Sequence, residues 1–160
     1  MEKKREGGLV ELVKRGGVFY EIPGTAPREV IAALIEAAGL PPAVDRKCFL
    51  EAALEREALM PTSLGHGIAL PHPRNPPLID VHEQMVALGF LKQPVDWRAL
   101  DGEPVHTALL IVSASAKLHL HTLSEINFFC QQEDFRALLA NRASPEDIIK
   151  VIEDAEADWR

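Results

Sequence analysis

Two apolar runs in the second half of the chain dominate its hydrophobic pattern. Residues 85–91 and residues 107–112 are almost uninterrupted by polar side chains. Runs of this kind are typical of strands buried on both faces, because a half-exposed strand alternates apolar and polar positions. Two shorter segments, Val18 to Ile22 and Ile68 to Leu70, are bounded by glycine and proline and also predict strands. The pattern therefore predicts a largely buried sheet.

The segments between these strands carry apolar residues at helical spacing. Six helices are predicted: from Leu9 up to Gly16, residues 28–38 with Thr25 as N-cap, residues 46–59 with Asp45 as N-cap, about 117–131, 134–139, and about 145–156. The helix at 117–131 is apolar enough to predict burial over much of its surface. Helices interleaved with buried strands must cover both faces of the sheet. We therefore predict a single-domain α/β (α+β) sandwich with a mixed, mostly buried sheet.

Length and charge narrow the class of protein. A chain of 160 residues fits one domain, and 47% hydrophobic with 26% charged residues is the balance of a soluble globular protein. The net charge of −7 disfavours nucleic acid as the main partner, because phosphate backbones attract basic surfaces. It equally disfavours an anionic membrane surface.

The ends and the cysteines of the chain indicate a cytoplasmic protein. No apolar run approaches the length of a membrane span, about 20 residues. Residues 1–8 are predicted to form a charged tail that lacks the apolar segment of a secretory signal. Cys48 and Cys130 lie in apolar helical segments, where small buried thiols of a reducing compartment are expected.

His72 is the first candidate for a catalytic residue. It follows the short predicted strand in the run Gly65-His66-Gly67-Ile68-Ala69-Leu70-Pro71-His72 and is flanked by Pro71 and Pro73. Rigid neighbours at a strand end hold an imidazole in a fixed direction, which suits a nucleophile. Gly67 allows close approach of the backbone just before it.

A second histidine motif, with His119 and His121, lies near the start of the helix at 117–131. Amides at a helix start favour an anion. Two residues apart, these histidines do not share a helix face, so we expect only His119 to point into a site and His121 to have a structural or surface role. Arg56, near the end of its helix, is a candidate cation for the same site.

These motifs resemble the active-site stretches of the IIA domains of the phosphoenolpyruvate phosphotransferase system (PTS), mannitol/fructose class. The run from Arg56 through Gly65 to His72 is similar to an arginine followed by a polar turn and G-x-G-[IV]-A-[IL]-P-H. His119 to Ser124 resembles the H-L-h-x-L-s helix start of the nitrogen-regulatory branch, and Asp101 to Val105 a D-x-x-P-V connection. The resemblance covers residues 9–156, leaving 157–160 as a tail, and implies the mannitol-type IIA fold.

The resemblance also implies roles for individual residues. His72 would accept a phosphoryl group through Nε2, His119 would support it, and Arg56 would stabilise the phosphoryl oxygens. Thr62 and Gly67 are expected to contact the phosphate. No metal and no cofactor is implied. The donor would be a phosphohistidine carrier protein of the HPr or nitrogen-HPr (NPr) type, and the role regulatory; a IIB domain or a regulated target protein would be the next partner.

The active-site loop departs from the family pattern at four positions: Met60, Pro61, His66 and Pro73 stand where Gly, Ser, Asn and Gly are common. Pro73 lacks a backbone N–H that could meet a phosphoryl group, and the Thr62 hydroxyl is expected to replace it.

Three alternatives stay open at the level of sequence. One is a sugar-specific IIA component that feeds a separate IIB/IIC permease. The second, from a different class, is a metal-dependent hydrolase that uses His66, His72, His119 and His121. The third is a binding module that is not phosphorylated.

Overall fold

The computed structural model describes residues 8–157. Within this range lie α1 (Leu9–Gly16), β1 (Val18–Ile22), α2 (Pro27–Ala38), α3 (Arg46–Leu59), β2 (Ser63–Gly65), β3 (Ile68–Ala69), β4 (Met85–Val95), β5 (Val105–Val112), α4 (Ala116–Cys130), α5 (Glu133–Ala140) and α6 (Pro145–Ala157). A single 3-10 turn, Val81–Glu83, leads into β4. The predicted tails, residues 1–8 and 157–160, lie outside the described residues except for Gly8 and Ala157.

The five strands form one mixed sheet in the order β1-β4-β5-β3-β2. β4 and β5, the two long apolar runs, pair antiparallel, with Met85 opposite Val112 and Phe90 opposite Thr107. β1 is parallel to β4, and β3 is parallel to β5. β2 pairs antiparallel with β3 at the edge. The apolar runs take inner positions because only inner strands are covered on both faces and bonded along both edges.

Helices cover both faces of this sheet. One face packs against α1, α4, α5 and α6, and the other against α2 and α3. Successive residues of β4, Val86 and Ala87, belong to opposite cores, as the pleat of a strand requires. The predicted fold class, a single-domain α/β sandwich, is confirmed. None of the helices within residues 8–157 is both long and apolar enough to cross a bilayer.

One helix start differs from the prediction. Asp45 caps α3 as expected, since its Oδ1 accepts the Cys48 N–H at 2.9 Å. The N-cap of α2 is Ala26 rather than Thr25, whose hydroxyl donates to Glu29 at 3.1 Å instead. The residue before a proline is held in an extended conformation, so Pro27 begins the helix and Ala26 becomes its cap.

The end of β4 and the presence of β2 also differ from the prediction. β4 continues to Val95, beyond the run at residues 85–91 that predicted the strand, and it includes Pro94. The proline is tolerated because it follows the segment that pairs with β1, so no ladder donor is needed there. β2 was not predicted, because its three residues, Ser63–Gly65, are too few to show a strand pattern.

Burial along two helices is lower than predicted. α4 leaves Leu120 and Phe128 exposed at 65% and 38%, because the sheet covers only one side of the helix. Cys130 is buried as expected, but Cys48 is exposed, since it occupies the first turn of α3 beside its cap.

The burial of β5 between helices on both faces of the sheet leads to a prediction about stability. Leu110 in β5 is fully buried at 0% exposure, whereas Leu100 in the connection after β4 is fully exposed at 107%. Leu110→Ala should lower the free energy of unfolding by about 2–5 kcal/mol through lost burial and a cavity. Leu100→Ala should change it by no more than about 0.5 kcal/mol. Urea denaturation of both variants measures this, and equal losses would contradict it.

Candidate functional site

His72 and His119 follow two strands that run parallel. β3 pairs with β5 with Ile68 opposite Thr107, and the Ile111 N–H of β5 donates to the Pro71 carbonyl at 3.1 Å just beyond β3. His72 therefore lies past the carboxyl end of β3, at the edge where β5 ends and α4 begins. The rings of His72 and His119 are 4.6 Å apart between centroids and inclined by 48°. The fold thus brings the two histidine motifs together.

The ring of His72 is held in one direction and one protonation pattern. Its Nδ1 lies 2.6 Å from the Leu70 carbonyl oxygen, and the residue is only 8% exposed. A carbonyl oxygen only accepts hydrogen bonds, so Nδ1 carries the proton. In the neutral ring the lone pair is then on Nε2. The adjacent prolines, Pro71 and Pro73, are both buried and restrict the backbone on either side.

Both imidazoles are neutral at physiological pH. Burial lowers the pKa of His72, and the positive charge of Arg56 lowers it further, whereas the Leu70 carbonyl and the Glu57 carboxylate act in the opposite direction. Burial, followed by the charges of His72 and Arg56, lowers the pKa of His119 to about 4. His119 Nδ1 lies 3.3 Å from the hydroxyl of Ser113, which is itself buried.

Arg56 is in the last turn of α3, on the chain segment that leads to the site. Its Nη1 donates to the Met60 carbonyl at 2.7 Å, which ties the guanidinium to the loop after the helix. Its charge lowers the pKa of both His72 and His119. The candidate cation is therefore near enough for its charge to act on both rings.

The two residues expected to contact phosphate, Thr62 and Gly67, have different surroundings in the structure. Thr62 donates both its N–H and its hydroxyl to Glu57, each at 2.6 Å, so both of its donors are already engaged. Gly67 is at the far end of the extended segment from His72, about 16 Å away at the rise of a strand. It lines a groove of about 630 Å³ with His66, Asp101 and His106. Contact of Thr62 and Gly67 with a phosphoryl group stays a prediction, and the bonds to Glu57 would have to be exchanged for Thr62 to make it.

The structure does not bring the four histidines of the hydrolase alternative together. His66 lies in the β2–β3 turn with φ +55°, and its N–H donates to Asp101 at 2.8 Å. His121 pairs with the buried Glu125 at 2.8 Å, which is the structural role expected for it. Among residues 8–157, no three His, Cys, Asp or Glu side chains are grouped so that they could hold a metal ion.

Sequence reasoning missed three residues that support the site: Glu57, Ser113 and Gln84. Gln84 is 2% exposed, and its Oε1 accepts the N–H of Ala114 at 2.9 Å, which anchors the connection between β5 and α4. A polar residue at the junction of a buried strand and a loop was the available signal for Ser113 and Gln84. The position of Glu57, directly after Arg56 and five residues before Thr62, was the signal for the third.

Comparison with known proteins extends these observations. The family model described as "Phosphoenolpyruvate-dependent sugar phosphotransferase system, EIIA 2" matches residues 11–155. The chain is 34% identical over 110 residues to the PTS fructose-specific EIIABC component of Bacillus subtilis, covering 68% of this chain and 17% of that protein. It is 28% identical over 151 residues to a nitrogen regulatory protein of Pseudomonas aeruginosa, covering 92% and 96% of the two chains. The chain therefore spans less than a fifth of the first relative and nearly all of the second.

Solved structures share the fold. Nitrogen regulatory protein IIA-Ntr from Neisseria meningitidis gives a TM-score of 0.73 at 23% identity, over 89% of this chain and 97% of that chain. The IIA mannitol enzyme of Escherichia coli, in its complex with phosphorylated IIB, gives 0.66 at 17% identity, over 88% and 95% of the two chains. The expected mannitol-type IIA fold is thereby confirmed. With a family model matched along almost its whole length, this chain belongs to the EIIA 2 family of the phosphoenolpyruvate-dependent sugar phosphotransferase system.

Proposed function

We propose that this protein is a phosphoryl carrier that accepts a phosphoryl group from a phosphohistidine carrier protein onto Nε2 of His72. The observation that carries the proposal is the hydrogen bond from His72 Nδ1–H to the Leu70 carbonyl. It leaves the lone pair of the neutral ring on Nε2, where it can attack phosphorus. The neutral ring of His119 and the charge of Arg56 lie beside it. These are the groups that in-line transfer between imidazoles needs: a nucleophile and donors for the phosphoryl oxygens.

In this mechanism the Nε2 lone pair of His72 forms a bond to phosphorus while the donor's N–P bond breaks. The electron pair of that bond returns to the donor imidazole, and the proton on His72 Nδ1 stays in place. When the Ser113 hydroxyl donates to His119 Nδ1, the neutral ring carries its proton on Nε2 and can donate to a phosphoryl oxygen. The positive end of the α4 dipole favours the same anion. The exchange needs no metal and no cofactor.

A protein is the donor that fits this site best. Four large apolar side chains close in sequence to the site residues are exposed: Leu59 at the end of α3, Met60 after it, Leu78 after His72, and Leu120 next to His119, at 67%, 65%, 97% and 65%. Large exposed apolar side chains near a site are a feature of protein–protein contacts. They support a carrier of the HPr or NPr type as the partner.

A regulatory role is supported by the nitrogen regulatory protein of Pseudomonas aeruginosa, which matches this chain over nearly its full length. We therefore propose that the phosphorylation state of His72 sets the binding of a regulated target protein. A cytoplasmic location fits the two cysteines, which are free thiols.

A second candidate is a sugar-specific IIA component that passes the group to a IIB domain. The fructose-specific EIIABC relative and the fold shared with the IIA mannitol enzyme in its complex with IIB favour it. Transfer from the labelled protein to a separately expressed IIB domain distinguishes this candidate from a purely regulatory role.

The assignment of His72 predicts the outcome of labelling. Wild-type protein mixed with a phosphorylated HPr or NPr carrier should take up label, and His72→Ala should take up none because the nucleophile is missing. His66→Asn, which changes a histidine in the β2–β3 turn and suits its positive φ, should be labelled like wild type. Labelling of His72→Ala at the wild-type level would favour another acceptor. Wild-type protein that is not labelled would favour the binding-module alternative.

The position of Arg56 predicts a kinetic effect. Arg56→Gln should slow transfer on the order of 100-fold, because it removes a cation that stabilises charge on the phosphoryl oxygens. Arg46→Gln is the matched control on the same helix, where Arg46 is paired with the exposed Glu36 at 2.7 Å. Stopped-flow or quench-flow transfer rates measure both, and equal rates in the two variants would contradict a role for Arg56.

The lowered pKa values predict a pH dependence. His119 should titrate with a pKa of about 4 in an NMR experiment. Because the unfolded chain binds protons at an ordinary histidine pKa of about 6.5 and the folded site resists them, the free energy of unfolding should fall as pH drops from about 6.5 toward 4. His119→Gln should show a shallower decline over that range. A normal titration of His119 near pH 6.5 would contradict the buried, neutral site.

A further inference from the structure

Glu57 holds the loop before β2 with both oxygens of its carboxylate. Oε2 accepts the Thr62 N–H and Oε1 accepts the Thr62 hydroxyl, each at 2.6 Å. Thr62 is 6% exposed and Glu57 is half-buried, so water competes little for these bonds. Short hydrogen bonds to an ionised carboxylate are the strong ones in proteins.

The hydrogen bonds continue from Thr62 to the imidazole of His72. The Thr62 carbonyl accepts the Leu70 N–H at 3.0 Å. The carbonyl of the same Leu70 accepts the Nδ1–H of His72 at 2.6 Å. Three hydrogen-bonded steps therefore connect the carboxylate of α3 to the nitrogen that orients the candidate nucleophile.

The charge of Glu57 also acts on His72 directly. Glu57 raises the pKa of His72, whereas its neighbour Arg56 lowers it. A negative charge close to the ring favours any state in which the ring is positive. Such a state arises in transfer, because an imidazole that keeps its Nδ1 proton while Nε2 bonds to phosphorus becomes a cation.

We propose that Glu57 is a positioning residue for phosphoryl transfer: it fixes Thr62, and through Thr62 the Leu70 carbonyl that aims His72, and its charge stabilises the cationic ring of phosphorylated His72. The proposal rests on the proposed function of His72 as phosphoryl acceptor. The Nε2–P bond forms as the donor's N–P bond breaks, the donor nitrogen recovers the electron pair, and the Nδ1 proton is not transferred. Glu57 touches none of the reacting atoms.

The test uses Glu57→Gln, which keeps the shape of the side chain but removes the charge; the amide oxygen can accept the Thr62 N–H while the amide NH2 donates to the Thr62 hydroxyl. The ¹⁵N NMR titration of His72 should move to lower pH than in wild type, with the proton of the neutral ring still on Nδ1. The transfer rate from a phosphorylated HPr-type carrier should fall about tenfold, as expected for a weakened charge-assisted contact. Glu55→Gln, which removes the same charge from an exposed position on α3, should change neither quantity.

Thr62→Val provides a second variant, in which the hydroxyl bond to Glu57 is lost and the N–H bond remains. It should slow transfer by less than Glu57→Gln while retaining the wild-type circular dichroism spectrum. A His72 titration equal to wild type in Glu57→Gln, or a wild-type transfer rate in that variant, would overturn the proposal. If Glu57→Gln does not fold, a wild-type rate in Thr62→Val overturns it instead.

The two proposals fail in different ways. Wild-type protein that accepts no phosphoryl group would overturn the function of His72. The NMR titration needs no carrier protein, so a shift in Glu57→Gln would still establish the link between Glu57 and the His72 ring, and an unchanged titration would still refute it.

Discussion

The parallel pairing of β3 with β5 is the constraint on which the arrangement of the site depends. Parallel strands end at the same edge of a sheet, so the residues that follow β3 meet the helix that follows β5. β3 comprises only Ile68 and Ala69, both fully buried. The Ile111 N–H to Pro71 carbonyl bond extends the pairing toward His72. Ile68 and Ala69 point into the cores on opposite faces of the sheet, and a slip of one residue would exchange them, so the packing of both cores also fixes the direction of His72.

The orientation of α4 is set by a second group of contacts on its other side. Glu125 is buried, pairs with His121 at 2.8 Å, and accepts the Leu9 N–H at the start of α1 at 3.3 Å. A buried carboxylate is stable only when its oxygens are bonded, so these contacts restrict how α4 lies on the sheet. The two histidines of the motif therefore act on different sides of one helix: His119 toward His72, and His121 toward the core contact.

The electrostatics of the site follow from burial combined with opposite charges at adjacent positions. Burial keeps the rings of His72 and His119 neutral, which preserves a lone pair on the nucleophile. Arg56 and Glu57 then act in opposite directions on His72. In the proposed mechanism the cation Arg56 stabilises the negative phosphoryl oxygens, and the anion Glu57 stabilises the positive ring after transfer. Neighbouring residues of one helix therefore stabilise opposite charges on the two sides of the new N–P bond.

The sequence by itself determined the strands at the centre of the sheet, the helices on both faces and the candidates His72, His119 and Arg56. These depend on hydrophobic periodicity, on prolines beside a histidine and on motif spacing, all of which are local. Only the tertiary structure decided that Gly67 lines a groove with His106, that Thr62 is bound to Glu57 and that Ser113 contacts His119. Strand direction and side-chain partners across elements decide these points, and a linear pattern does not encode which donor reaches which acceptor.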